Sequence, residues 1–366
     1  MLGVYLHIPF CQKKCAYCAF SSFVTGEEER DKYTQALIGE IEKFSKYNRR
    51  KIDTIYIGGG TPSLLSIKNM DKIIKALKNN FDIAKDCEFT IECNPCSLTE
   101  EKLQFYKNSG VNRLSLGVQS LEDDKLKTIG RVHTKDEAKA KIELSKKYFE
   151  NISVDMLIGL PNMDKNKFLS QIKWLAKSGI KHISAYMLQV EEGTTLHRQV
   201  EENPSFVPED DESVDVYEEM AKVLAENGFE RYEVSNFAKQ GFESRHNLKY
   251  WTGEEYIGFG LAAHSYIGGI RKANASSLEE YYQGLIEGSE TLSTEQKIEE
   301  HIMLGLRCKK GISKKFLLNL GYDILKNEEF IELQKQGILI VKGDSVVLNP
   351  DFYGVSNMII VKLLPI

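Results

Sequence analysis

No apolar segment in this 366-residue sequence approaches the ~18 residues needed to cross a bilayer, so no membrane-spanning helix is expected. Neither sign of charge dominates: 48 Lys and Arg stand against 53 Asp and Glu, a net charge of −5. That mild acidity, with no long basic block, argues against a nucleic-acid surface. Lys13 with Lys14, and the short run Arg49, Arg50, Lys51, read as solvated surface. The opening stretch from Met1 to Phe10 has neither a basic n-region nor a cleavable apolar core. Its pattern is that of a strand, which points to the cytoplasm. Low-complexity tracts are missing too. Seven cysteines is an odd number, and three of them crowd into eight residues. In a reducing compartment such crowding reads as metal chemistry rather than disulfides. Hydrophobic residues make up 42%, enough for a sizeable core, and the length suggests one large domain with a smaller one.

An apolar strand, a polar loop and an amphipathic helix recur through the first half. Strand patterns lie at 4–8, 54–57, 88–92, 113–118, 153–158 and 182–188. Tyr33, Leu37, Ile41 and Phe44 share one helical face, as do Met70, Ile73, Ile74, Leu77 and Phe81. Leu126 and Ile129, then Ala138, Ile142 and Leu144, suggest a broken helical stretch. Strands alternating with helices predict a parallel sheet with right-handed crossovers. It is either an open doubly wound sheet or a barrel, whole or partial. Both place functional groups at the carboxyl ends of the strands. The unusual residues fall there: the cysteines from Cys11, Gly58-Gly59-Gly60-Thr61, Glu92, Gln119, and Asp155 within the fifth strand. A helix is expected over 210–227, followed by a Gly-, Tyr- and Phe-rich stretch over 232–269. From about Thr291 the pattern becomes helices and a terminal hairpin around Gly343-Asp344. This divides the chain into a first domain over 1–290 and a small helical, winged-helix-like domain over 291–366. The second is not basic, so it is expected to serve in packing or as a lid.

The densest chemical signal is His7-Ile8-Pro9-Phe10-Cys11-Gln12-Lys13-Lys14-Cys15-Ala16-Tyr17-Cys18, with the spacing C-x3-C-x2-C. Three thiolates this close can converge on one small object, and soft thiolates suit iron–sulfur clusters and zinc. A cubane has four irons, so Cys11, Cys15 and Cys18 would leave one iron without a protein ligand, open as a binding position. The alternative is a structural zinc with Cys93 and Cys96 as its second half, a three-plus-two arrangement that fits no common zinc pattern. Otherwise Cys87, Cys93, Cys96 and Cys308 read as ordinary buried thiols.

With Tyr17 before its third cysteine, this loop resembles the signature of the radical S-adenosylmethionine superfamily. Further segments extend the likeness over nearly the whole chain: Tyr5-Leu-His-Ile-Pro-Phe-Cys, Gly58-Gly-Gly-Thr-Pro, Glu92-Cys-Asn-Pro, Gly117-Val-Gln-Ser, Gly130-Arg-Val-His and Asp155-Met-Leu-Ile-Gly-Leu-Pro. They resemble the oxygen-independent coproporphyrinogen oxidase family. That resemblance implies a partial (β/α)6 barrel with a 4Fe-4S cluster at its open mouth and S-adenosylmethionine on the open iron. It also implies roles. Gly58, Gly59 and Gly60 would let backbone approach the ligand's amino-acid end, and Thr61 would add a hydroxyl. Glu92 and Asp155 would face ribose hydroxyls or the cationic end. Arg131 would pair with the carboxylate, and Gln119 would bond nearby. Tyr5 and Tyr17 would pack against cluster or adenine. Taken singly, the glycines read as a tight turn and the carboxylates as solvated or salt-bridged groups.

The family has two branches. Oxidases, which decarboxylate two propionates, carry a fourth cysteine where this chain has Phe20, and an extension before the cluster where this chain has ten residues. The sister branch, HemW-type heme chaperones, has C-x3-C-x2-C-x-F and a His-Asn-x-x-Tyr-Trp motif, here His246-Asn247-Leu248-Lys249-Tyr250-Trp251. If that segment is helical, His246 and Tyr250 share a face, and imidazole and phenolate are both known heme ligands. Read alone, His246 is a hydrogen-bonded structural histidine. His264 is a further, weaker candidate at the mouth. The branch implies a heme carrier with an acceptor protein, no nucleic-acid partner, and membrane contact only through that acceptor. An anaerobic coproporphyrinogen III dehydrogenase is the alternative.

Overall fold

The structure is a computed structural model that describes residues 1–48 and 50–364. Arg49 of the cationic run lies outside the described residues. The repeating unit of the first half forms β1 (Leu2–Ile8), β2 (Ile52–Gly59), β3 (Ile83–Cys93), β4 (Arg113–Gln119), β5 (Asn151–Ile158) and β6 (His182–Met187). The helices between them include Glu27–Ser45, Ile67–Asn80, Glu100–Asn108, Lys135–Lys146 and Lys165–Lys177. All five neighbouring pairs from β1 to β6 are parallel.

The side chains of these strands sort by alternation. Successive residues of a strand point to opposite faces. Leu2, Val4, Leu6 and Ile8 of β1, Leu114, Leu116 and Val118 of β4, and Ile152, Val154, Met156 and Ile158 of β5 are all fully buried in one core. The opposite face carries Gly3, Tyr5 and His7, then Arg113, Ser115 and Gly117, then Ser153 and Asp155. Parallel strands covered on both faces usually read as continuous apolar runs. Here only the helix-facing side is apolar, and the inner side is a polar lining.

The sheet continues past this unit. The Gly-, Tyr- and Phe-rich stretch supplies β7 (Glu230–Glu233), β8 (Asn236–Ala238), β9 (Tyr256–Phe259) and β10 (His264–Ile267), followed by β11 (Ile270–Asn274) and β12 (Ile286–Thr291). The order is β12-β11-β10-β9-β1-β2-β3-β4-β5-β6-β8-β7. β9 lies parallel to β1, while β10 to β12 on one side and β8 and β7 on the other are antiparallel. The helix Arg245–Thr252 closes the amino-terminal end of the parallel strands. Its first two backbone N–H groups donate to the Glu88 carboxylate at 2.9 Å each, a favourable place for negative charge. A Cβ on Gly3 would lie 2.9 Å from Lys249 Cδ and 3.0 Å from Thr54 Oγ1, so β1 and this helix touch where glycine allows it.

Beyond β12, the helix Thr294–Gly305 leads into a three-stranded antiparallel sheet of Ile312–Ser313, Ser345–Leu348 and Leu339–Lys342, with short helices around it. This part is tied to β7 and β8: Val234 N–H donates to Arg307 O at 2.8 Å and Lys309 N–H to Tyr232 O at 2.9 Å. Among the described residues no helix is long and apolar enough to cross a membrane.

Candidate functional site

The cysteine loop leaves β1 at Ile8 and is fastened along its length. Cys11 N–H donates to Phe23 O (3.0 Å), Phe23 N–H to Pro9 O (2.7 Å), Ala16 N–H to Ile129 O (3.0 Å) and Leu196 N–H to Ala16 O (2.8 Å). Cys11, Cys15 and Cys18 are all half-buried. Thr61 Oγ1 stands 3.6 Å from Cys11 Sγ, and Arg131 Nη1 stands 3.6 Å from Cys15 Sγ. Burial pushes the Cys18 thiol up. The Phe20 backbone opposes that rise, and the nearby Cys15 and Cys11 sulfurs add to it. Among the described residues, no three His, Cys, Asp or Glu side chains close on a position for a single metal ion. Three soft thiols on one pinned loop, with a hydroxyl and a guanidinium aimed at two of the sulfurs, fit a multi-iron body whose ligands sit on separate irons.

The two further cysteines diverge. Cys93 points into the core, where burial pushes its thiol up to about 12. Cys96, expected to be buried, is instead exposed, because it sits on the short turn Pro95–Ser97 at the strand end. They do not form a paired second half for a zinc site.

The glycines earn their place mainly against the chain itself. Gly60 N–H donates to Ile8 O at 2.9 Å and Thr61 N–H to Phe10 O at 2.8 Å, docking the β2 loop on the cysteine loop. A Cβ on Gly60 would meet Phe10 O at 2.8 Å and Ile8 O at 3.0 Å. Gly59 has φ +110 and faces the His7 ring, and Gly58 abuts Tyr56 and Glu92. Arg131 is anchored by Asn94 Oδ1 at 2.7 Å and by the Gly117 carbonyl. Asn94 also donates to Thr61 Oγ1 at 2.9 Å. It was not among the expected site residues, although its place beside Glu92 in the Glu-Cys-Asn-Pro segment was the available signal. Gln119 has φ 70, a region uncommon outside glycine, and its amide lies beside Gly117 with Asn94 and Arg131. A small cavity of about 20 Å³, the size of a single water, separates Cys15, Thr61, Asn94, Cys96 and Arg131.

Deeper in the lining, Glu92 at the end of β3 accepts from Tyr56 Oη at 2.7 Å and from Gly59 N–H at 3.0 Å. Burial pushes its carboxyl up to about 7 against those two donors. Asp155 lies mid-strand below the mouth, accepting from Ser115 Oγ at 3.0 Å, and burial raises it too. Tyr5 donates toward His7 Nδ1 at 3.0 Å and stacks on Tyr56, with ring centroids 6.2 Å apart. It therefore sits below the cysteine loop, as the second layer of the lining. His7 is buried, with its other nitrogen on Ser21 O at 3.0 Å. Tyr17 packs with Leu188 on the small cluster of Ile129, Leu157 and Leu160. The structure thus brings the cysteines, Gly59, Gly60, Thr61, Glu92, Gln119, Arg131 and Tyr17 to one end of the strands, with Tyr5 and Asp155 beneath.

His246 and Tyr250 lie at the opposite end. They share a helical face, with Nε2 to Oη at 2.8 Å, and the other ring nitrogen meets Thr54 Oγ1 at 2.8 Å. The imidazole is fully buried, and burial first, then Lys249 and Arg113, pushes it down to about 3. Both ring nitrogens are thus hydrogen-bonded within the fold. The motif builds the plug of the barrel. His264, by contrast, is exposed at the start of β10.

The model of the Radical SAM superfamily matches residues 5–188. The chain is 35% identical to the heme chaperone HemW of Lactococcus lactis over 370 residues, 99% of this chain and 97% of that one. The chain belongs to the radical SAM superfamily, in its HemW branch. The HemW of Bacillus subtilis is 39% identical over 327 residues, 86% of each chain. Among solved structures, the coproporphyrinogen III oxidase HemN from Escherichia coli, a radical SAM enzyme, superposes with a TM-score of 0.87 at 21% identity, covering 99% of this chain and 90% of that one. That likeness establishes the shared fold, including the partial barrel with its C-terminal appendage.

Proposed function

We propose that this protein is a heme carrier that passes heme to an acceptor protein and holds a 4Fe-4S cluster on Cys11, Cys15 and Cys18. The observation that carries the reading is the match to heme chaperones over 99% of the chain. The thiol geometry at the barrel mouth supports it. When bound, the cluster supplies one iron without a thiolate, at which S-adenosylmethionine can bind through its amino-acid end. The chain's own groups would then position the parts. Thr61 and Arg131 donate to the Cys11 and Cys15 sulfurs. Glu92 and Gln119 would offer polar contacts to the sulfonium ligand with Asp155 in the layer beneath, and Gly59 and Gly60 let the β2 loop pack against His7 and the cysteine loop. Tyr17 covers the apolar side.

Anaerobic reconstitution followed by optical titration with hemin tests both halves. The expected result is four irons and four sulfides per chain ([4Fe-4S] stoichiometry) and a saturable Soret shift. A protein that produces protoporphyrinogen from coproporphyrinogen under reducing conditions, without a Soret shift, would be the dehydrogenase instead. Phe20, exposed where oxidases carry a fourth cysteine, speaks against that outcome.

A further inference from the structure

The two edges of the large sheet end differently. β7 is covered: Val234 N–H donates to Arg307 O at 2.8 Å, Lys309 N–H donates to Tyr232 O at 2.9 Å, and Glu233 bridges to Cys308. β12, at the other end of the order, pairs with β11 and with no other strand among the described residues. Every residue of β12, from Ile286 to Thr291, is exposed. Along an antiparallel ladder, the backbone groups of successive residues point alternately to the partner and away from it. An edge strand therefore presents free N–H and C=O groups to any further strand. The register with β11 is regular from Gly288 to Thr291, and Leu292 N–H extends it to Gly269 O at 3.1 Å. The irregularity falls at Glu287, near one end.

Free edges are often guarded by proline or lysine, and β12 has neither. Its guard is charge of one sign. Between residues 279 and 300 stand seven glutamates and a single lysine, Lys297, so this stretch is more negative than the whole chain at −5. Arg271 answers two of them, Glu290 at 3.8 Å and Glu300 at 2.7 Å. Glu279, Glu280, Glu287 and Glu295 are exposed. A second copy of this edge would set the same glutamates against each other, whereas a strand carrying lysine or arginine is attracted.

Beside the start of β12, a cavity of about 420 Å³ opens against the helix Glu27–Ser45, with Tyr47, Leu285 and Ile286 exposed around it. Its floor needs no charged ligand. Glu40 accepts from Gly260 N–H (2.8 Å), Asn274 Nδ2 (2.7 Å) and Tyr281 Oη (2.8 Å), and Lys272 faces it. What remains open is the apolar rim. Side chains of a strand laid along β12 alternate between the two faces of the sheet, so every second one is carried to the side of Ile286 and this rim.

We propose that β12 is a docking edge for an extended, basic segment of another protein. That segment adds a strand to the sheet and seats an apolar side chain at the opening of Tyr47, Leu285 and Ile286. Backbone pairing supplies the affinity, and the glutamates and the rim supply the selection. The inference stands apart from the heme-carrier reading.

The probe is a synthetic peptide as long as β12 that alternates valine with arginine, titrated by fluorescence anisotropy into the reconstituted full-length protein. Two further peptides are N-methylated, one at its odd and one at its even positions. They keep the side chains and charge but lose opposite sets of N–H donors. The plain peptide should bind saturably, and one methylated form should bind at least about tenfold more weakly than the other. Glu287→Lys/Glu295→Lys should weaken binding by at least about tenfold and flatten its salt dependence. Gly288→Pro and Ser289→Pro test the edge itself. Neighbouring residues turn their N–H groups to opposite sides, so one of the two variants should keep its circular dichroism and lose the peptide. Equal binding of all three peptides would overturn the proposal, as would no binding by the wild type. Unchanged binding in the glutamate variant and both proline variants would overturn it too. A wild-type dimer in sedimentation that a proline variant dissolves, with no peptide bound, would give the edge to a second copy and overturn the proposed partner.

Discussion

A buried histidine with both ring nitrogens hydrogen-bonded contributes to stability. His246 bridges Thr54 and Tyr250 at 2.8 Å on each side inside the barrel plug. Truncating it removes a buried ring and leaves two buried hydroxyls without a partner. His246→Ala should therefore cost about 3–4 kcal/mol of stability, measured by denaturant unfolding. Hemin affinity, taken well below the melting temperature, should remain within about twofold of wild type. A normal stability with a lost Soret shift would put the imidazole back on the iron. Cys15 is the opposite case: a half-buried thiol with Arg131 Nη1 3.6 Å from its sulfur. Cys15→Ser leaves two soft ligands for a cubane and should abolish cluster binding, with iron and sulfide below about a tenth of wild type. Retention of full iron and sulfide would contradict the ligand assignment.

At the scale of elements, the β2 loop and the cysteine loop behave as one unit, because Gly60 lets their backbones touch. A methyl group there would lie 2.8 Å from Phe10 O and 3.0 Å from Phe10 N, against backbone that cannot swing away. Gly60→Ala should cost about 1–3 kcal/mol and lower cluster content by displacing Cys11. Gly39→Ala, in open space on a helix, should instead stabilise by about 0.5–1 kcal/mol. Equal effects in thermal melts would undo the argument. The parallel strands were legible in the sequence because their helix-facing sides, such as Leu114, Leu116 and Val118, repeat the same apolar alternation after each helix. The thiols were legible from spacing alone. The stretch over 230–291 was not, since β7 to β11 are three to five residues long and carry too few alternations to set a period. The role of the His246 helix was equally hidden. Burial of that motif depends on Gly3, Thr54 and Glu88, which are distant in sequence and meet it only in the fold.

Across the whole molecule, the barrel edge and the C-terminal elements meet at β7, and Glu233 lies in that seam. It is fully buried, bridges toward Cys308, and accepts from Ser235 N–H at 2.8 Å and from the Asn236 amide. Burial pushes its carboxyl up from 4.5 to about 7 in spite of those donors. The sign follows from proton counting. Between pH 4.5 and 7 the folded chain holds a proton here that the unfolded chain has lost, so this group's contribution falls as pH rises through that window. Above it the cost of a buried charge is fully present, on the order of 3 kcal/mol for a shift of this size. The His246 shift acts in the reverse sense: its proton is taken up first by the unfolded chain, so acid below 6.5 destabilises the fold. The two slopes separate by mutation. Glu233→Gln should raise the melting temperature at pH 8, leave it nearly unchanged at pH 5, and preserve the acid limb. Parallel melting curves for the two proteins across pH 5–8 would mean that the seam holds the carboxylate ionised at no cost.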